Sequence, residues 1–430
     1  MKILNITAGL LLVSTLYATD IYTVDDLTLK ALENSPELHI SSANYEASKS
    51  RYSLAKSNYR PTLDLLVSAG EGGQNNVPKK ADEMVNDSII LGKLSVKQLI
   101  YDFGKTDSNS KSFQYDSQSY ANSYQQKISD KKKEVKSAYY HVLQNIALIH
   151  VNREDVKLNK AQLYRSQKYF DAGIKTKIDI SDANVELIKS KLNLKKSQYD
   201  LKLSYAQLDR VIGFKGIQND YKVFANKLDL ENLYGTLTEY DLSLKDAIEF
   251  AYKNRYELKK QIANVSTSKA KSELASTEYY PALYFNADYT KQHVDTFKNI
   301  VPKNQWQASL NLNWNIYQGG ATDASTQEKK IQVDIAQSNL QYSRLLIKTQ
   351  TTQAYLNLNK AKDSVELSQS LLKFSNEKFH QASQRYEHGL SDFIELQQAR
   401  QGYIDAMASL IVDYYNYYNS IAILDNAIGK

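Results

Sequence analysis

From Gly104 to about Ala172, apolar side chains return every seven residues, at Ile128, Val135, Val142, Ile149, Val156, Leu163 and Phe170, with no proline in the stretch. The same register recurs later at Leu358, Val365, Leu372, Phe379 and Tyr386. A strict heptad keeps one narrow seam against a neighbour and imposes a left-handed supercoil. The spacing therefore predicts two long helices, each roughly 100 Å at 1.5 Å per residue. The companion seam is patchy, because Tyr139 and Ile146 give way to Arg153 and Lys160, which predicts helices wet on one side. Each long helix runs to a glycine, Gly173 or Gly389, and a shorter helix returns to Gly213 or Gly429. Glycine just past the last turn is the common helix stop, so the pattern reads as two long helical hairpins.

A second period lies between the helical blocks. Trp306, Ala308, Leu310, Leu312, Trp314 and Ile316 alternate with Gln305, Gln307, Ser309, Asn311, Asn313 and Asn315. One wholly apolar and one wholly amide or hydroxyl face is the pattern of a membrane barrel strand, with lipid outside and water inside. Trp306, Trp314 and Tyr317 are placed to form its aromatic girdle. Leu283, Phe285, Ala287 and Tyr289 alternate in the same way, as do Leu63, Leu65, Val67 and Ala69, while Ile89 to Tyr101 alternates only in part. Barrel strands are expected near 62–70, 89–101, 282–290 and 305–317. Four strands are too few to close a barrel, and an open edge cannot sit in hydrocarbon. Oligomerisation is therefore required. A dimer would supply eight strands and a trimer twelve, and arithmetic alone does not choose.

The chain is written twice. Asn34, Glu37, Leu38 and Pro61 recur 220 residues on as Asn254, Glu257, Leu258 and Pro281; Tyr101, Gly104, Gly173, Ile212 and Gly213 recur 216 residues on as Tyr317, Gly320, Gly389, Ile428 and Gly429, and Asp179 falls opposite Glu395. The change of offset puts a four-residue length difference between Pro61 and Tyr101, where a strand-loop-strand hairpin absorbs it cheaply. The expected organisation is a signal peptide over 1–18, a first repeat over 19–213, an equatorial linker over 214–240 and a second repeat over 241–430.

Composition narrows the setting. Lys2 precedes an apolar run from Ile3 through Leu16, then Tyr17, Ala18 and Thr19, the layout of a secretory signal cleaved after Ala18. Beyond Leu16 nothing approaches the ~20 apolar residues of a membrane helix, so membrane contact has to come through strands. Cysteine is absent, which removes disulfides, thiolate metal sites and a lipidated cysteine. The net charge of +6 is dispersed, and its one basic triplet, Lys131 to Lys133, is bracketed by Asp130 and Glu134; this is a solvated helix face, not a nucleic-acid footprint. Tyrosine outnumbers phenylalanine 33 to 11, suiting membrane interfaces and partly hydrated packing. His39, His141, His150, His293, His380 and His388 lack metal-ligand spacing. Asp102-Phe103-Gly104 reads as a strand-to-helix corner, and Gly70-Glu71-Gly72-Gly73 as the tip of a hairpin loop. No nucleophile elbow or phosphate loop occurs. No catalysis, metal or cofactor is expected. A periplasmic coiled-coil scaffold without a barrel would explain the heptads but not the alternating tryptophan strand.

These features resemble the TolC-like outer membrane efflux protein family over essentially the whole mature chain. The likeness rests on the duplication, on Trp314-Asn315-Ile316-Tyr317-Gln318-Gly319-Gly320 with its weaker counterpart Ile100-Tyr101-Asp102-Phe103-Gly104, and on the hairpin tips Tyr169-Phe170-Asp171-Ala172-Gly173-Ile174 and Tyr386-Glu387-His388-Gly389-Leu390. The resemblance implies an α+β membrane protein: a homotrimer with a twelve-stranded barrel in the outer membrane of a Gram-negative bacterium, continued by a periplasmic α-helical tunnel. It implies a passive duct for efflux or type I secretion whose tips, at Gly173, Ile174, Gly389 and Leu390, dock a periplasmic adaptor coupled to an inner-membrane pump of the RND or ABC class. It also implies a periplasmic gate of acidic and tyrosine side chains, matched here by Asp179, Tyr386 and Glu395. Ser391 stands where better-known members carry a gate arginine and Gln398 where they carry a second ring acid; Asp392 is placed to supply part of that charge.

Overall fold

The computed structural model describes residues 20–74, 85–216, 221–226, 228–294 and 303–430. The signal-peptide segment and the two loops at 75–84 and 295–302 lie outside these residues. A short strand β1 (Asp20–Tyr22) leads into α1 (Val24–Asn34) and α2 (Pro36–Ser57), then β2 (Thr62–Gln74) and β3 (Val85–Tyr101), the long α3 (Lys105–Asp171) and its return α4 (Lys177–Ile212). A connecting segment carries β4 (Tyr221–Val223), and the order then repeats as α5 (Leu244–Asn254), α6 (Tyr256–Ser276), β5 (Ala282–Val294), β6 (Asn304–Asn313), α7 (Ala321–Glu387) and α8 (Phe393–Ile428). The sequence repeat is thus a structural one: α3 and α7 both have 67 residues, and α4 and α8 both have 36.

Strands β2, β3, β5 and β6 form one antiparallel sheet in that order. Its register explains the alternating pattern. Leu63, Val96, Ala287 and Ala308 lie side by side across the four strands, as do Leu65, Leu94, Tyr289 and Trp306. One residue along, Asp64, Ser95, Asp288 and Gln307 form the neighbouring row. Because successive side chains point to opposite faces, the sheet has one continuous apolar face and one polar face. Each outer strand, β2 and β6, is paired on a single side.

Two expectations change. The strand expected over 305–317 ends at Asn313, opposite Ala282. The next partner residue would be Pro281, which has no N–H to offer a ladder, and the indole of Trp314 instead donates to the Tyr279 carbonyl at 3.1 Å. Gln98, 216 residues earlier, likewise donates to the Tyr59 carbonyl at 3.1 Å. The glycines at 70, 72 and 73 are not a loop tip. They lie within β2, facing Ile89, Asp87 and Asn86, because pairing with β3 continues past them; β2 and β5 both outrun the expected lengths.

The helices stand in a row whose neighbours change along its length. Nearer the sheet, α3 packs against α2 and α6, and α6 against α7; nearer the hairpin tips, α3 packs against α4 and α8, and α8 against α7. Small buried residues on the first part of α3, Thr106, Ser108, Ser110, Ser112, Ser117 and Ser119, allow the close approach of α2 and α6. Ser48 meets Ser117 at 3.1 Å and Ser119 meets Asn264 at 2.7 Å. Further along α3 the heptad seam becomes a true core, with Val135, Val142, Ile149 and Val156 buried. Around this middle level tyrosine hydroxyls clamp the connecting segment: Tyr139 donates to the Phe224 carbonyl at 2.7 Å and Tyr417 to the Thr238 carbonyl at 2.5 Å. That is where the surplus of tyrosine over phenylalanine is used within the chain.

Candidate functional site

At the far end of the helices both hairpins turn with the same backbone hydrogen bonds. Ile174 N–H donates to the Tyr169 carbonyl and Leu390 N–H to the Arg385 carbonyl, each at 2.8 Å, beside left-handed glycines at 173 and 389. This six-to-one closure satisfies the last carbonyls of α3 and α7. It leaves Ile174 and Leu390 outward, 66% and 69% exposed, with Ile178 and Ile394 exposed one turn further on. The two tips are therefore apolar knobs on polar helices.

The acidic residues singled out at the tips begin the return helices. The Asp179 carboxylate accepts from Thr176 N–H at 2.9 Å and Thr176 Oγ1 at 2.8 Å, a reciprocal capping box that opens α4. Asp392 caps α8 by accepting from Glu395 N–H at 2.8 Å. Glu395 turns its carboxylate to Arg385 Nε at 3.1 Å. All three carboxylates sit at helix N-termini, where backbone N–H groups favour negative charge.

Tyr386 is placed differently. It is 1% exposed within one chain, packed with Ala183, Phe393 and Leu396, its ring 6.2 Å from Tyr169 and 6.5 Å from Phe393. The ammonium of Lys175 lies 5.0 Å above that ring. Burial pushes its phenol above the ordinary tyrosine range; a hydrogen bond from the Ser166 side pulls it back, and the negative charge of Asp179 pushes it further up. The structure thus brings Asp179 and Tyr386 into one neighbourhood, while Asp392 and Glu395 serve the start of α8. Gln398 is exposed, and the Ser391 hydroxyl is buried.

Two linkages between the hairpins escaped the sequence reading. Arg165 on α3 pairs with Glu387 at the end of α7 at 2.8 Å. Deeper in, Arg400 on α8 binds Asp155 on α3 and Glu186 on α4, the latter at 3.4 Å. Arg400 is the sole basic residue in α8 and stands on its buried face beside Leu396 and Ala399, a signal that was present in the sequence.

At the sheet, Trp306 is exposed on the apolar face near one end of β6, while Trp314 and Tyr317 are exposed just past the other end. Eight residues of strand separate the two tryptophans, roughly 27 Å at 3.4 Å per residue. Aromatics from the first repeat join the lower belt: Phe103 stacks on Tyr280 at 5.2 Å and meets Tyr101 edge-on at 4.7 Å. Among the described residues no helix is long and apolar enough to cross a membrane, and none of their side chains cluster as a metal site.

The sequence profile of the family described as outer membrane efflux protein matches residues 27–214 and 247–430, one match per repeat. Protein CyaE of Bordetella pertussis is 22% identical over 389 residues, covering 89% of this chain and 80% of that protein. Outer membrane protein TolC of Vibrio cholerae is 26% identical over 186 residues, 43% of this chain and 42% of TolC. In shape the chain is similar to the CmeC outer membrane channel of Campylobacter jejuni, with a TM-score of 0.82 at 16% identity over 94% of this chain and 85% of that one.

Proposed function

The chain belongs to the outer membrane efflux protein family, and from that premise we propose that three copies close a twelve-stranded barrel and act as the exit duct for an inner-membrane pump reached through a periplasmic adaptor. As a member of that family it is an outer-membrane channel of efflux or secretion with a large periplasmic portion, a passive conduit and not an enzyme.

The observation that carries the trimeric reading is the sheet: four strands, a continuous apolar face and two half-paired edges. In hydrocarbon each unpaired backbone group costs several kcal/mol, so β6 of one copy has to meet β2 of another. An eight-stranded barrel leaves an interior just wide enough to be filled by its own side chains, which favours three copies over two for a duct that passes cargo. A scaffold without a barrel would leave the apolar face in water.

The helices support the same closure. Within one chain α7 lies at one edge of the row, with α2 and α4 at the other. Ile178, Val185, Leu192 and Tyr199 on α4 are exposed at seven-residue intervals, and Leu367, Leu371 and Phe374 are exposed on α7. Such stripes are seams without a partner inside the chain.

The apolar tips at Ile174 and Leu390 are the docking points for the adaptor, and Asp179 with Glu395 lines the mouth, where like carboxylates favour cations. Purified protein inserted in planar bilayers is expected to give discrete conducting channels, and Ile174→Glu with Leu390→Glu is expected to abolish adaptor-dependent export while leaving those channels intact. Absence of any conductance from folded protein would refute the duct. Comparing drug sensitivity with the secreted proteome in a deletion strain identifies the cargo class.

A further inference from the structure

We propose that Arg400, Asp155 and Glu186 form a buried charge latch that holds the α7–α8 hairpin shut against the α3–α4 hairpin; this deepens the duct reading and rests on it. The three side chains come from α8, α3 and α4, and are 5%, 4% and 8% exposed. One guanidinium serves two carboxylates. Asn159 donates to Asp155 Oδ1 at 2.9 Å, and Lys189 holds the other oxygen of Glu186 at 2.7 Å. The group therefore joins the two hairpins through hydrogen bonds that exist only while α8 lies against α3 and α4.

Its position argues for a switch rather than for a rivet. A buried ion triad is on average no more stabilising than apolar side chains of the same volume, whereas removing a single member leaves an uncompensated charge and is severe. Around it the interface is apolar, with Leu158, Phe379, Phe393 and Leu396 nearby, and the same wall encloses a cavity of about 60 Å3 that Asn159, Gln162, Gln397 and Arg400 also line. A space of that size with several polar partners holds one or two waters. When α8 moves away, water enters from this cavity and solvates the separated charges. The dry, paired state and the wet, parted state are both self-consistent, which makes the interface two-state rather than continuously soft.

Arg400 is roughly two turns from the start of α8, far enough from the tip for a small displacement there to widen the mouth. Arg165–Glu387, more exposed, closes the same interface nearer the tip.

The test uses the full mature channel in planar bilayers. Asp155→Asn, Glu186→Gln and Arg400→Met, each made alone, are expected to raise single-channel conductance severalfold and to admit large hydrophilic antibiotics into cells. The triple variant Arg400→Met, Asp155→Leu, Glu186→Leu keeps the volume and removes every charge; it is expected to return to the low conductance of the parent and to melt no lower. Single variants that conduct like the parent overturn the latch while leaving the duct in place. A triple variant as leaky as the single ones also overturns it, because lost packing and not unpaired charge would then open the mouth. A parent protein that forms no channel removes the duct itself and the latch with it.

Discussion

Gly213, at the end of the first hairpin, lies so close to Asn34 that a Cβ on it would fall 2.6 Å from the Asn34 carbonyl oxygen. Its φ is +70°, so the position excludes other residues on two counts. The second repeat copies the arrangement less tightly: a Cβ on Gly429, φ +82°, would lie 3.0 Å from Arg255 N. In both repeats a return helix ends against the break that divides the paired shorter helices.

Gly213→Ala is therefore expected to destabilise the protein by about 2–4 kcal/mol, combining left-handed strain with a backbone collision. Gly429→Ala should cost less, and Gly173→Ala, whose Cβ meets nothing within 4 Å, least of the three. Thermal melting of the purified oligomer checks the order.

The two faces of β6 should respond oppositely to charge. Ala308 lies in the middle of the apolar row with Ala287 and Val96, while Gln307 lies in the polar row with Asp288. Ala308→Arg is expected to cost about 2–4 kcal/mol at mid-membrane and Gln307→Arg little. The yield of folded oligomer in outer-membrane fractions measures both.

Charge at the mouth follows from the capping geometry. Because Arg385 already pairs with Glu395 at 3.1 Å, Glu395→Gln alone should shift selectivity only slightly. Asp179→Asn with Glu395→Gln should reduce cation preference clearly, and Arg385→Gln should increase it. Reversal potentials across a salt gradient read each change.

Acid sensitivity centres on Lys131, whose ammonium meets Glu37 at 2.7 Å and Glu134 at 2.8 Å. The hydrogen bond from Lys131 holds the Glu37 carboxyl below its ordinary value. Burial alone would lower Lys131, but Glu134 and Glu37 outweigh it and raise the ammonium. A depressed acid contributes stability above its unfolded pKa, near 4.3 for glutamate, and loses it as pH falls through the lower folded value. A raised lysine contributes below its unfolded pKa and loses that as pH rises through the folded one. Stability from this cluster should thus be level from about pH 5 to 10, fall on either side, and become flatter at the acid end in Lys131→Met. Unfolding midpoints across pH test this.

The long helices were legible because a period of seven is written in the side chains themselves, from Val135 to Val156 and from Leu358 to Leu372. The sheet was legible for the same reason on its outer strands, where one face is apolar throughout. The end of β6 was not, since Asn313 stops pairing only because Pro281 stands across from it. Nor were the serines of α3, which matter through the approach of α2 and α6. At the tips, the duplicated position of Asp179 and Glu395 was visible, but Arg385 as a partner was not, because ion pairs across a turn depend on side-chain direction. Arg400 was hidden similarly: Asp155 lies 245 residues away, and nothing local announces that pairing.

The most direct measurement exploits the absence of cysteine. Asn311→Cys on β6, combined in turn with Asp64→Cys, Leu66→Cys and Ser68→Cys on β2, places thiols on the two half-paired edges. On oxidation in intact outer membranes, at least one combination should give covalent species of two and three chains and nothing larger, while each single variant stops at one chain. A fully monomeric pattern in every combination, or a ladder that runs on past three, would contradict closure of the barrel by three copies.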